Sequence, residues 1–371
     1  MSIDFNQTSG EWYTFDGKDL DVVLSTRVRL ARNLANFPFP HKLDSDEAER
    51  VISIIFDAFN QLPEREKFQC IGVNSLEDLP LRILVEHGFL DLPNKTPSGL
   101  IISSDSVISA TVNQVDHLRL VHFLAGFSPE TALNKLSELD KKLQNYIQFA
   151  ASYDFGYLNS KVLDSGSGLK LSVRLFLPCL TLQNKIPELI NQSFNLHYNL
   201  SAPFGSRGTS LLNPYLTTGS LGCYYELSTT SCSSESEIQN LASFSSYVQS
   251  FIVKERQERA ECSKLYASIF NNYILRSLSV ARFSIFISIR EAVEIISGIE
   301  LGLCLNRIKG ITYSDLHALL FKIQISNLDF VLANGHFKFD SDIEKSVELK
   351  KDRLRALIIQ ETLEHVDLIE E

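Results

Sequence analysis

The chain has 371 residues, 44% hydrophobic and 22% charged, with a formal net charge of −10. That length suffices for two or three domains with full cores and no covalent staples. The acidic balance argues against general nucleic-acid or anionic-membrane binding, so an anion site would have to be a local cluster of basic side chains. No apolar run approaches the roughly eighteen residues of a membrane span. Met1 to Asn6 has no signal-like basic and apolar pattern, which makes the cytoplasm the expected location. The cysteines, Cys70, Cys179, Cys223, Cys232, Cys262 and Cys304, form no C-x-x-C pair and have no His at ligand spacing. They read as reduced thiols, and no metal site is expected.

The first informative stretch is Ser25-Thr26-Arg27-Val28-Arg29-Leu30-Ala31-Arg32-Asn33, after the β-prone run Val22-Val23-Leu24. On an extended chain Arg27 and Arg29 share a face, and two planar guanidinium forks suit phosphate oxygens. Read alone, the pair also fits a solvated edge. Residues 44–60 predict a helix, with Asp44 as cap, Glu47 three residues on, and Val51, Ile52, Ile55 and Phe59 at helical spacing. Residues 99–112 predict a hairpin turning at Ser103-Ser104-Asp105-Ser106, followed by Asn113-Gln114-Val115-Asp116-His117-Leu118-Arg119.

Residues 129–147 predict a helix capped by Ser128, with Pro129 in its first turn and Leu133, Leu136, Leu139, Leu143 and Ile147 as its apolar face. Residues 169–177 predict a strand. Leu169, Leu171, Val173, Leu175 and Leu177 lie on one face and Lys170, Ser172 and Arg174 on the other. Two cations on a strand face fit either solvent or a ligand. Residues 192–222 read as loop. From about 235 the chain reads as helical, with Ser234/Glu237 and Ser288/Glu291 as capping boxes and a last charged helix over 341–363.

Three motifs carry a resemblance. The first stretch matches S-x-R-x-R-L-A-R-N, residues 113–119 match N-E-E-D-H-x-R in part, and Gly156-Tyr157-Leu158 opens a degraded G-Y-L-T-S-C-P-T-N-x-G-T-G-x-R-A-S-V. Together they resemble the catalytic domain of the phosphagen (guanidino) kinases, and the lead L-S-T-R-V-R-L-A-R-N-L-x-x-F-P-F-P is similar to bacterial protein-arginine kinases. The resemblance runs over about residues 18–365. It implies an α+β fold, a catalytic domain with an antiparallel sheet flanked by helices, then an all-helical C-terminal domain. The expected division is an extension over 1–17, a kinase-like domain over 18–255 and a helical domain over 256–371. The implied reaction is transfer of the γ-phosphoryl group of ATP, with Mg²⁺, to a guanidinium. The implied partners are arginine or phosphoarginine proteins, an active arginine kinase or Clp protease machinery with a zinc-binding activator, and a second copy of the chain in a homodimer.

An arginine acceptor has a pKa above about 12, so it arrives as a cation and needs a carboxylate to orient it and accept its proton. By resemblance one such carboxylate is replaced by Val115 and its neighbour by Gln114, while Lys161 stands where a reactive cysteine belongs. A second catalytic glutamate belongs in an R-G-x-x-G-E loop, yet residues 196–222 contain no Asp or Glu, and Arg207-Gly208 is the only remnant. Asp116 and Asp164 are the replacement candidates. The phosphate side is fuller. Ser25, Thr26, Arg27, Val28, Arg29, Arg119, Lys170, Ser172 and Arg174 match nucleotide-binding positions, and His87 lies one residue from a nucleotide-stacking histidine. His117 also matches the pattern, though as a residue it reads first as a structural histidine. Lys351, Asp352, Arg355 and Ala356 resemble the R-D-x-x-R-A phosphoarginine pocket, and equally fit a solvated helix end. The expected function is a catalytically impaired kinase-like regulator that binds nucleotide, phosphoarginine or both. The alternatives are an active arginine kinase with moved carboxylates and a purely structural partner.

Overall fold

The computed structural model describes residues 11–91, 96–208, 212, 218–232 and 236–369. Its first part is built on an eight-stranded antiparallel sheet. In chain order the strands and intervening helices are β1 (Val23–Arg32), α1 (Ser45–Asn60), β2 (Phe68–Gly72), α2 (Asp78–Glu86), β3 (Gly99–Ser103), β4 (Ile108–Val112), β5 (Leu118–Ala125) and α3 (Pro129–Leu143). There follow a small hairpin of β6 (Ala151–Ser152) and β7 (Gly156–Tyr157), then β8 (Leu169–Phe176), α4 (Pro178–Leu182), α5 (Ile186–Asn195), β9 (Tyr198–Ser201) and β10 (Tyr224–Thr229). The strand order is β2-β3-β4-β5-β1-β8-β10-β9, so β1 lies mid-sheet between two strands that are remote in sequence.

Alternation decides what each face does. Val28 and Leu30 of β1, Leu118 and Leu120 of β5, and Leu169, Leu171, Val173 and Leu175 of β8 point to one side, where they meet α1, α3 and α6 (Glu237–Leu265) in the main core. Burying each such side chain stabilises the fold by about 1.5–3 kcal/mol. A register shift between Val23 and Ser25 reverses the alternation, so Val23 joins the core while Ser25 turns to the opposite face.

The second part is helical: α6, α7 (Ala267–Phe283), α8 (Ile289–Cys304), α9 (Tyr313–Lys322), α10 (Ile325–Asn334) and α11 (Val347–Thr362), with a two-stranded ladder of β11 (Ile308–Lys309) and β12 (Asp367–Leu368). Helix α8 is buried along most of its length and centres a second core that takes in Phe176, Leu221 and Tyr224 from the end of the sheet. Among the described residues no single helix is long and apolar enough to cross a membrane.

The helix expected over 44–60 is α1, with Asp44 and Glu47 in a reciprocal capping box. Several expectations need correction. Helix α3 ends at Leu143, and Ile147 is buried beyond it. Ser128 does not cap α3 with its hydroxyl; its N–H donates to Thr26 Oγ1 at 3.1 Å. Residues 192–222 are not all loop. They hold the end of α5 and strand β9, which forms because β10 supplies its ladder partners and Tyr198 stacks on Tyr247 of α6. The box that opens α6 is Ser236 with Gln239, while Ser234 lies outside the described residues. Ser288 does cap α8, accepting from the Glu291 N–H. The last helix begins at Val347, capped by Ser346, because residues 341–345 form turns. Helix α6 itself runs unbroken from Glu237 to Leu265.

Candidate functional site

The sheet face opposite the main core gathers most of the basic motif residues. Arg29 pairs with Lys170, Arg27 with Ser172 and Ser25 with Arg174 across β1 and β8, and Arg27 faces Phe123 across β1 and β5. Directly opposed residues in an antiparallel pair share a face. So Ser25, Arg27, Arg29, Lys170, Ser172 and Arg174 form one patch, with Arg119 of β5 at its edge. Thr26 and Val28 point away from it, Thr26 donating its hydroxyl to Gly126 O at 2.6 Å and Val28 packing in the core. Arg32 also lies on the far side. It forks onto Asp140 at 3.1 and 3.0 Å and stacks 3.6 Å above the Tyr157 ring, so the third arginine of the first motif holds α3 and the β6–β7 hairpin.

A cleft of about 730 Å³ opens over the patch. Ser25, Arg27, Ser172 and Arg174 line it from the sheet, His87 and Asp91 from the end of α2 onward, and Val115 and Lys161 from two loops. Trp12, Phe123 and Phe321 form its aromatic end, where Trp12 stacks on Phe123 with ring centroids 5.3 Å apart. His87 packs against Phe321 and Tyr13, and burial lowers its pKa to about 4, which keeps it neutral. Trp12 belongs to the stretch expected as a mere extension, and nothing local in sequence marks it as a cleft residue.

The cations are unequally satisfied. Arg29 donates to Asp164 at 2.9 Å. Arg119 donates to Asp116 at 2.9 Å and to Asp164 at 3.4 Å, and lies 3.8 Å from Asp91. Arg174 reaches Glu226 of β10 only at 4.0 Å. Arg27 has no carboxylate in ion-pair reach among the described residues, and the Nε atoms of Arg27 and Arg174 are buried without a hydrogen-bond partner. Burial, with repulsion from Arg29, lowers the Arg27 pKa to about 10, and the same two causes lower Lys170. Buried donors and mutually repelling cations of this kind suit an anion.

Asp116 and Asp164, the candidate replacement bases, sit elsewhere. Asp116 is fully buried and accepts from Asn33, the Ser160 N–H and Arg119. Asp164 is buried at the end of a 3₁₀ turn that follows Lys161. Neither lines the cleft, whereas Asp91, Glu86 and Glu226 do. The sequence reading missed these three, since only the register of β10 on β8 brings Glu226 opposite Arg174. Gln114 is braced on the Asp91 backbone by bonds of 3.1 and 3.2 Å. His117 is buried, with Nδ1 accepting the Leu34 N–H at 3.0 Å. Arg207 is outside the cleft, paired in the interior with Glu294 at 3.0 Å.

The C-terminal motif lies on α11, away from the cleft-lining residues. Arg355 is buried and donates to the carbonyls of Ile287 at 2.8 Å and Ile323 at 3.1 Å and to Asp352. Lys351 pairs with Asp329 at 3.0 Å, and Ala356 is part of the second core. Among the described residues no group of three His, Cys, Asp or Glu side chains is placed to hold a metal ion.

The sequence profile described as ATP:guanido phosphotransferase, C-terminal catalytic domain, matches residues 50–258, and the chain belongs to that family. Among individual proteins, it is similar to the protein-arginine kinase of Clostridium acetobutylicum, 27% identical over 347 residues, covering 92% of this chain and 98% of that one. It is also similar to the protein-arginine kinase of Geobacillus stearothermophilus, 28% identical over 356 residues and covering 95% of each. In fold it resembles the duplicated taurocyamine kinase of Schistosoma mansoni, with a TM-score of 0.56 at 20% identity, covering 66% of this chain and 35% of that longer one. It likewise resembles a lombricine kinase, with a TM-score of 0.55 at 17% identity, covering 68% and 71%.

Proposed function

We propose that the chain is a regulatory, kinase-like member of its family that binds a nucleotide in the cleft and does not transfer phosphoryl groups to arginine. One observation carries this reading: Val115 and Lys161 line the same cleft as Arg27 and Arg174. One side is furnished for an anion, while the two positions that the sequence resemblance assigns to the acceptor present an apolar chain and a cation. Neither of these two positions can accept a proton from a guanidinium, and Lys161 repels it. Arg27, Arg174, Lys170, Ser25 and Ser172 would hold phosphate oxygens, with the aromatic end beside Trp12 and Phe123 for the base. Magnesium, where present, would neutralise phosphate charge.

The test is to incubate the protein with ATP–Mg²⁺ and an arginine-rich substrate and look for acid-labile phosphoarginine by mass spectrometry, running the reverse reaction alongside. The expected result is no transfer in either direction, with a melting temperature raised by several degrees by ATP or ADP. Ligand at 100 times its Kd adds about 2.7 kcal/mol. Transfer at enzyme-like rates would overturn the reading.

A second reading, an active transferase with relocated carboxylates, has one observation in its favour. Asp91 and Glu226 line the cleft with side chains 66% and 37% exposed. It requires that Asp91→Asn or Glu226→Gln lower a measurable activity by roughly 10²-fold or more. The phosphoarginine role is not part of this proposal; in the structure Arg355 Nε and Nη1 donate to the carbonyls of Ile323 and Ile287 and to Asp352.

A further inference from the structure

Asp164 occupies an unusual place for a carboxylate. It ends the turn Val162–Asp164 that follows the cleft-lining Lys161, and its Oδ2 is 2.9 Å from Arg29 Nη2 and 3.4 Å from Arg119 Nη2. All three side chains are at most 10% exposed. The turn is held: Asn159 Nδ2 donates to Asp164 O at 2.6 Å, and the Ser160 N–H donates to Asp116 at 2.8 Å. One carboxylate thus bridges two guanidinium groups in the position that a phosphate oxygen would take between a pair of forks.

We propose that Asp164 is a resident anion which shortens the phosphate-binding site, so that the cleft selects a nucleoside diphosphate over a triphosphate. The inference rests on the nucleotide-binding reading above. Of the basic side chains on the patch, Arg29 and Arg119 are closed by Asp164 and Asp116. Arg27 and Lys170 remain without a carboxylate in ion-pair reach among the described residues, and Arg174 has one only at 4.0 Å. These three cations, offset in part by Glu226 beside Arg174 and Asp91 on the cleft wall, are the ones left to meet a ligand's phosphates. A further phosphate would have to displace a buried carboxylate or lie against it, and like charges a few ångströms apart in a partly buried site repel each other.

The experiment is calorimetric titration of the full chain with ADP and with ATP, without Mg²⁺, for the wild type and for Asp164→Asn. Asparagine keeps the shape and a carbonyl acceptor for Arg29 while removing the charge. The wild type is expected to bind ADP at least as tightly as ATP. In the variant ATP affinity should rise by about tenfold or more, with ADP changing much less. An unchanged ATP-to-ADP ratio in a folded variant overturns the proposal. The wild type supplies a second measurement that does not depend on the variant folding: titration with pyrophosphate and tripolyphosphate. With Asp164 in place, tripolyphosphate gains no affinity over pyrophosphate, and a tenfold gain overturns the proposal. If neither protein binds any nucleotide or phosphate, the nucleotide reading itself falls, an outcome distinct from binding without selectivity.

Discussion

Asp116 stands next to Val115, and the structure shows what a buried carboxylate does there. Burial alone would raise its pKa, but the Arg119 guanidinium and the bonds from Ser160 and Asn33 outweigh that and hold it below the usual carboxylate range. With the folded pKa depressed, its contribution is present above the unfolded value of about 3.9 and is lost as pH falls through the folded one. Asp116→Asn is expected to destabilise the protein by about 3 kcal/mol at neutral pH, because Arg119 loses its nearest counterion. The loss should shrink below about pH 4. Denaturant melts at pH 7 and pH 3 check this, and an equal loss at both values refutes it. His87 behaves in the same sense for a different reason. Burial lowers its pKa to about 4, so the unfolded chain binds the extra proton between about 4 and 6.5, and stability rises with pH across that window. His87→Phe, set among Tyr13, Phe89 and Phe321, is expected to flatten that part of the pH–Tm profile.

Periodicity made several elements legible and long-range pairing hid others. Strand β8 shows its two faces in sequence because one face meets a continuous apolar core. Helix α1 shows its start because Asp44 and Glu47 satisfy each other's backbone N–H groups locally. Strand β9 was invisible, since it exists only through β10, and the start of α6 was misplaced because Ser-rich sequence offers several caps of similar strength. The structure selects Ser236, whose Oγ accepts the Gln239 N–H. Ser236→Ala is therefore expected to cost about 1 kcal/mol, read from the shift of a urea midpoint at constant slope. No measurable shift would place the cap elsewhere.

The two parts of the molecule are joined by buried and half-buried charges as well as by the core. Arg207, in the loop before β10, pairs with Glu294 of α8, whose carboxylate also accepts from the Gly222 N–H at 3.2 Å and from Tyr273 at 3.2 Å. Arg259 of α6 reaches back to Asp21 at 2.8 Å, and Ser314 of α9 donates to Phe15 O at 3.1 Å. Such crossing contacts predict one cooperative calorimetric transition for the whole chain. Glu294→Gln removes the carboxylate charge 3.0 Å from the buried Arg207 and is expected to cost about 3 kcal/mol. Two separate transitions in the wild type would show that the parts melt independently.

By itself the sequence determined the family, the α+β part followed by helices, the polar face of β8 and the presence of Val115 and Lys161 where the resemblance expects a glutamate and a cysteine. These depend on local pattern and motif identity, which short stretches of chain carry. Tertiary structure alone decided which basic side chains are free. Arg27, Arg29 and Arg32 are one motif in sequence, yet one faces the cleft, one is closed by Asp164 from 135 residues away and one is committed to α3. Strand register and burial assign those partners, and an ion pair between residues so distant leaves no local trace in the chain.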